Sequence, residues 1–151
     1  MSVVLDVVAG AVVAVDVGAV RVGVAARDPQ GVLASPVATL ARDAVAASDL
    51  QELVAIVRDR AAVEVVVGLP VTLAGREGPA AVAARAYADA LAPLVAPVPV
   101  RLVDERLTTV VGTQGLRASG VRGRKQRAVI DQAAAVALLQ GVLDAARGSR
   151  S

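Results

Sequence analysis

The 151-residue chain has no cysteine, no histidine, no phenylalanine, no tryptophan and one tyrosine, Tyr87. The missing cysteine excludes disulfides and thiolate metal sites. The missing histidine excludes Ser-His-Asp catalysis, imidazole acid–base chemistry and zinc sites of the usual kinds. Long hydrophobic runs are absent too. The longest uncharged apolar stretch near the N-terminus, Val7 to Val15, is too short to span a bilayer. Asp6 and Asp16 bracket it and no basic residue precedes it, which argues against a secretory signal and for a cytoplasmic protein. Any chemistry must come from carboxylates, arginine, Lys125, Tyr87 or hydroxyls.

What is present is apolar and small. Hydrophobic residues make up 56% of the chain and charged residues 20%, so disorder is not expected. The length fits one domain with a real core, though a core of Ala and Val buries less area per residue than one with aromatics. The net charge of +2 is only mildly basic. Its distribution is uneven, because Arg117, Arg122, Arg124, Lys125 and Arg127 fall close together. Such a cluster suits phosphate contacts, or is simply a solvated loop and helix start.

Along the chain, residues 12–17 read as a buried strand. Gly18 and Ala19 form a turn, and the alternation of Val20, Val22 and Val24 marks a hairpin partner. "DPQG" at 28–31 is a turn. "VLASPVATL" carries a third strand, with Pro36 favouring an edge or a bulge. Leu50, Leu53, Val54 and Val57 recur at helical spacing, which predicts an amphipathic helix over 45–60. "VEVVVGLP" (63–70) reads as a central parallel strand. Gly78-Pro79 opens an Ala-rich helix over 79–93. "PVPVRLVDE" (97–105) is another strand. Thr108 or Thr109 caps a short helix ending at Gly120, and a last helix runs over about 125–146. Three hairpin-like strands followed by alternating helices and strands describe a mixed α/β sheet.

Three places put carboxylates where apolar residues are expected. Asp16 interrupts the buried strand "VVAVDV". An unpaired carboxylate there costs several kcal/mol, so it must be paired, neutralised or bound to a cation. A salt bridge to Arg21 across the hairpin turn is one such solution. Asp131 heads the stripe of Ala134, Ala135, Leu138 and Val142 on the last helix, at about 100° per residue. Asp104 and Glu105 end a strand, so they point to opposite faces and at most one joins Asp16. Strand periodicity does not say which. Carboxylates without His or Cys suit a hard divalent cation, Mg²⁺ or Mn²⁺. Two such ions, about 3.5–4 Å apart, can clamp the attacking and leaving oxygens of a phosphodiester.

Four segments, "AVDVGAVRVGVAARDPQGVLASPVATL", "VEVVVGLPVTLAGREGPAAVAARAYADAL", "PVPVRLVDERLTTVVGTQGL" and "RASGVRGRKQRAVIDQAAAVALLQ", resemble in order the motifs of the YqgF family, and most of all its actinobacterial members. The likeness runs from residue 12 to 145. It implies an RNase H-like α/β fold over 1–151, with a five-stranded mixed sheet flanked by helices. It also implies metal-dependent hydrolysis of phosphodiester bonds, as a pre-16S rRNA nuclease or a Holliday junction resolvase-like protein. The family's acidic positions carry over onto Asp16 of "DVG", Glu105 of "DER" and Asp131 of "IDQAAA", as catalytic residues and ligands of Mg²⁺ or Mn²⁺. The resemblance thereby chooses Glu105 over Asp104. It makes "GLPVTLAGREG" a loop near the site. Arg21, Arg122, Arg124, Lys125 and Arg127 would meet nucleic acid, either precursor rRNA or branched DNA.

The start "MSVVLDVVAGA", the sparse lysine and the near-absence of aromatics depart from the family pattern. Two other functions compete. One is a catalytically weak nucleic-acid-binding domain of the same fold, which loss of an acidic position would mark. The other is an actin-like or sugar-kinase ATPase, because "DVGAVRVGV" resembles its first phosphate loop. That enzyme needs two such subdomains, and a chain of this length supplies one. A monomer or weak homodimer is expected, with no membrane association.

Overall fold

Strand alternation sorts the apolar residues of this protein onto the two faces of one sheet, and the helices follow. The computed structural model describes residues 10–27, 33–72, 74–107 and 123–148, with side chains in the last of these segments for 132–145. Five strands are present: β1 (Val12–Val17), β2 (Arg21–Arg27), β3 (Ala34–Ala41), β4 (Glu64–Leu69) and β5 (Val100–Asp104). Their order is β3-β2-β1-β4-β5. β1, β2 and β3 are antiparallel neighbours, whereas β4 and β5 run parallel to β1. Three helices complete the described chain: α1 (Ser48–Asp59), α2 (Pro79–Val95) and α3 (Gly123–Gly148).

Val13, Val15, Val22, Val24, Val65 and Val67 face α1 and α2, where Leu53 and Leu91 fill the layer between helix and sheet. The alternate residues Val12, Ala14, Ala25, Val66 and Val103 face Ala135, Leu138, Leu139 and Leu143 of α3. Small residues at 14 and 25 let α3 lie close on β1 and β2. Pro36 does what its missing N–H demands: it sits on the edge strand β3, at a register shift opposite Val24 and Ala25.

Several boundaries differ from the sequence expectation. β2 starts at Arg21 and continues to Arg27, beyond the alternating valines. α1 begins at Ser48 because Asp43 folds residues 44–46 into a turn. Its carboxylate accepts the N–H groups of Val45 and Ala46 at 3.1 and 3.0 Å and the Ser48 hydroxyl at 2.8 Å. These bonds hold the Asp43 carboxyl below the usual range, the one from Ala46 foremost. β5 is shorter than 97–105, starting at Val100 and handing over to a 3₁₀ turn at Glu105. In α3 the buried stripe is Ala135, Leu138, Leu139 and Leu143, with Ala134 and Val142 only half-buried. The larger leucines fill the groove better. The expected turn at 28–31 and the short helix after Thr108 or Thr109 both lie outside the described residues.

The α1–α2 contact holds a buried charge that the periodicity did not flag. Asp49 is 4% exposed, and its carboxylate accepts the Tyr87 hydroxyl at 3.0 Å and the Asp43 N–H at 3.3 Å. Arg42 lies over the Tyr87 ring, 5.3 Å from its centroid, as a cation–π contact. Burial, and then the Asp49 charge, push the Tyr87 phenol above its usual 10.0. A raised pKa in the folded state gives stability that is complete below the unfolded value and is lost as pH rises past it. Tyr87→Phe should therefore cost about 1–3 kcal/mol at neutral pH, by leaving Asp49 short of a donor. It should also lose less stability than the wild type on going from pH 9 to 11. Urea unfolding across that range checks both, and equal slopes would remove Tyr87 from the account.

Candidate active site

The C-terminal end of the central strand β1 and the 3₁₀ turn that follows edge strand β5 bring Asp16 and Glu105 to the α3 face of the sheet. Asp16 stands opposite Gly23 of β2. It lies one step past the last parallel pair of β1 with β4, Val15 opposite Val67, so Gly68 is its neighbour on that side. Alternation from Val12 and Ala14 turns its side chain toward α3. Thr39 lies opposite Gly23 in turn. A row of Thr39, Gly23, Asp16 and Gly68 thus crosses four strands, and the half-buried carboxylate has a residue without a side chain on each flank.

Asp104 and Glu105 part company as alternation requires. The Arg106 guanidinium takes the Asp104 carboxylate with Nη2 at 2.6 Å and Nε at 3.0 and 3.1 Å, and the Arg106 N–H adds a bond of 2.8 Å. These bonds, the side-chain ones foremost, hold the Asp104 carboxyl below the usual carboxylate range. Glu105 goes to the other face. A Cβ added to Gly68 would stand 2.5 Å from Glu105 Oε1 and 3.1 Å from its Cγ. The Glu105 carboxyl therefore occupies the space that a side chain at 68 would fill, one strand from Asp16.

α3 covers this end of the sheet. Gln132 Nε2 donates to Thr39 Oγ1 at 3.1 Å, and the Ala34 N–H donates to Gln140 Oε1 at 3.1 Å. The helix therefore meets the Thr39 row at Gln132 and runs from there toward the far end of β3. Asp131 immediately precedes Gln132 and shares a helical face with Ala135 and Leu138. Its side chain lies outside those described. Among the described side chains, no three acidic groups gather in a way that could hold a metal.

Arg21 opens β2, half-buried and in the same alternation as Gly23. Arg124, Lys125 and Arg127 belong to the first turns of α3, the end nearest the Asp16 row, with side chains outside those described. Arg122 lies outside the described residues. Within "GLPVTLAGREG" a turn is closed by Thr72 N–H to Arg76 O at 2.9 Å and Gly75 N–H to Thr72 O at 2.8 Å. Arg106 Nη1 comes within 3.7 Å of where a Gly75 Cβ would be, so this loop adjoins the end of β5.

Sequence reasoning did not single out Gly68, Arg106, or the Gln132–Thr39 bond. The glycine that ends the valine run of "VVVGLP" was a signal of close approach. The base two residues after Asp104 was within reach of it. The Gln132–Thr39 pair spans the sheet and had no local signal. At the opposite end of the α3 face, Glu64 accepts Arg101 Nε at 3.1 Å, and Arg27 donates to the Gly10 carbonyl. Charges buried there belong to the structure's closure at that end.

A family model described as "RuvX: Holliday junction resolvase" matches residues 10–145. A protein of Frankia casuarinae named "Putative pre-16S rRNA nuclease" is 58% identical over 137 residues, covering 91% of this chain and 68% of its own. One of Streptomyces avermitilis with the same name is 57% identical over 137 residues, covering 90% and 86%. Among solved structures, T. thermophilus RuvC in complex with Holliday junction substrate superposes with a TM-score of 0.57 at 13% identity, covering 93% of this chain and 97% of that one. That likeness concerns the fold alone, which is RNase H-like in both.

Proposed function

The chain belongs to the RuvX family, the YqgF family of the sequence resemblance, and from that premise we propose that it is a metal-dependent endonuclease maturing the 5′ end of 16S rRNA precursor. The observation that carries the chemistry is the convergence of Asp16 and Glu105 on one face of the sheet, at positions flanked by Gly23 and Gly68 and on the face that α3, the helix of Asp131, packs against. The names of the relatives support the choice of substrate. In this reading residues 1–151 form one nuclease domain working in the cytoplasm as a monomer or weak homodimer. No helix among the described residues is long and apolar enough to cross a membrane.

The residues fit a hard cation. Carboxylate oxygens are the donors Mg²⁺ and Mn²⁺ take, and the space over Gly68 is left open to a carboxylate by the missing Cβ. Asp16, Glu105 and Asp131 would hold the metal. Bound there, a divalent ion supplies a nucleophilic water at neutral pH and stabilises charge on the phosphate oxygens. The chain's own residues do the rest. β1 keeps Asp16 on fixed backbone and the 3₁₀ turn after β5 carries Glu105, while Arg106 keeps Asp104 engaged on the other face. Arg21, Arg122, Arg124, Lys125 and Arg127 would bind the nucleic-acid backbone.

The family's description favours a second reading, cleavage of four-way DNA junctions. A resolvase acts on two symmetric strands and should be a dimer. Incubation with structured RNA carrying the 16S 5′ flank and with four-way junctions, each in Mg²⁺, Mn²⁺ or chelator, separates the two. Asp16→Asn, Glu105→Gln and Asp131→Asn should each reduce metal-dependent cleavage to background with unchanged circular dichroism, and Asp104→Asn should be milder. A dead Asp104→Asn beside an active Glu105→Gln would reverse the assignment. No cleavage by the wild type of either substrate would leave a binding domain of the same fold.

The basic segment has its own test. Replacing Arg124, Lys125 and Arg127 together by Gln should weaken RNA binding. Each lost phosphate contact should flatten the log–log salt dependence by roughly 0.7–0.9. An unchanged slope would mean that the cluster faces water only.

A further inference from the structure

We infer that Gln132 is a positioning residue, whose hydrogen bond to Thr39 sets the rotation of α3 and so the place of residue 131 above the Asp16 row. The inference rests on the reading of Asp131 as a metal ligand. It starts from how unevenly α3 is held. Leu138, Leu139 and Leu143 are buried against the sheet and interlock with it at the far end. Among the described side chains, the near end offers Ala133, Ala134 and Ala135, of which only Ala135 is fully buried, with half-buried Val136 beside them. Methyl groups make a smooth contact, over which a helix can roll or slide at little cost. A metal ligand needs placement to within about half an ångström, which such a contact does not enforce.

A directional bond does enforce it. Gln132 Nε2 reaches Thr39 Oγ1 at 3.1 Å, and Thr39 belongs to the same cross-strand row as Gly23 and Asp16. The bond therefore ties the residue next to 131 to the level of the sheet at which the other carboxylate stands. Eight residues on, Gln140 makes the matching bond to the Ala34 N–H at 3.1 Å, at the other end of β3. That second anchor adjoins the leucines, where packing already fixes the helix. The first acts where the described packing is mostly methyl groups.

The test uses the full chain and Mn²⁺ as the probe, titrated by the paramagnetic signal of the free ion, with cleavage kinetics in parallel. Gln132→Leu and Thr39→Val break the bond from opposite sides. Each should weaken Mn²⁺ binding about tenfold and lower kcat with KM unchanged, in the manner of a lost outer-shell contact. Adding Gln132→Leu to Thr39→Val should cost nothing further, because Thr39→Val already removes the shared bond. Thr39→Ser keeps the hydroxyl and should bind Mn²⁺ as the wild type does. Wild-type Mn²⁺ binding in both single variants, or additive losses in the double, overturns the inference. Asp131→Asn separates the two levels of the argument. If it binds Mn²⁺ like the wild type, the metal-ligand reading fails and takes the inference with it. If it loses Mn²⁺ while Gln132→Leu does not, the inference alone fails.

Discussion

The carboxyl of Glu105 lies where any side chain on residue 68 would have to stand, and the arrangement of the acidic end of this protein follows from that exclusion. A strand at the centre of a five-stranded sheet normally carries a branched apolar residue at every position, as β4 does at Val65, Val66 and Val67. At Gly68 it carries none, and the space goes to a group from the next strand. Gly23 leaves the corresponding position bare on the other side of Asp16. The sheet gives up packing area at the level where Asp16 and Glu105 lie on its face.

The rest of the molecule makes this affordable by burying small residues thoroughly. Among the described residues, eleven large side chains are fully buried, four leucines and seven valines. At about 1.5–3 kcal/mol for each buried aliphatic side chain, they carry most of the favourable energy despite the scarcity of aromatics. The two faces divide the labour. The α1–α2 face holds most of this core, with the Asp49–Tyr87 bond as its polar exception. The α3 face is thinner and polar at both ends. Carboxylates stand at one end, and Arg27, Glu64 and Arg101 close the other. A helix set on so thin an apolar strip needs its polar anchors, and Gln132 and Gln140 provide them.

The layout of strands and helices was legible from the sequence because valine alternation and the Gly-Pro signals are local. Pro36 announced an edge strand, and Gly78-Pro79 announced the start of α2. The anomaly of Asp16 was legible for the same reason, since a carboxylate inside a valine strand must be paired, neutralised or bound to a cation. The choice between Asp104 and Glu105 was not. Alternation assigns them opposite faces but does not say which face lies under α3. That needs the parallel register of β4 and β5, which sets Gly68 opposite Val103. Arg106, which holds Asp104, and Thr39, which meets Gln132, act through contacts that no sequence period encodes. The buried charges Asp49 and Glu64 went unnoticed because each sits in an otherwise ordinary amphipathic helix or apolar strand.

The account stands on the claim that the space left by Gly68 exists to seat a metal-binding carboxylate. Mn²⁺ titration of Gly68→Ala tests it most directly. The added methyl would meet only the far part of a flexible glutamate, so the fold should survive, with unchanged circular dichroism and a melting temperature close to that of the wild type. Glu105 would be pushed aside, and Mn²⁺ affinity should fall about tenfold or more. A folded Gly68→Ala protein that binds Mn²⁺ as tightly as the wild type would contradict the account.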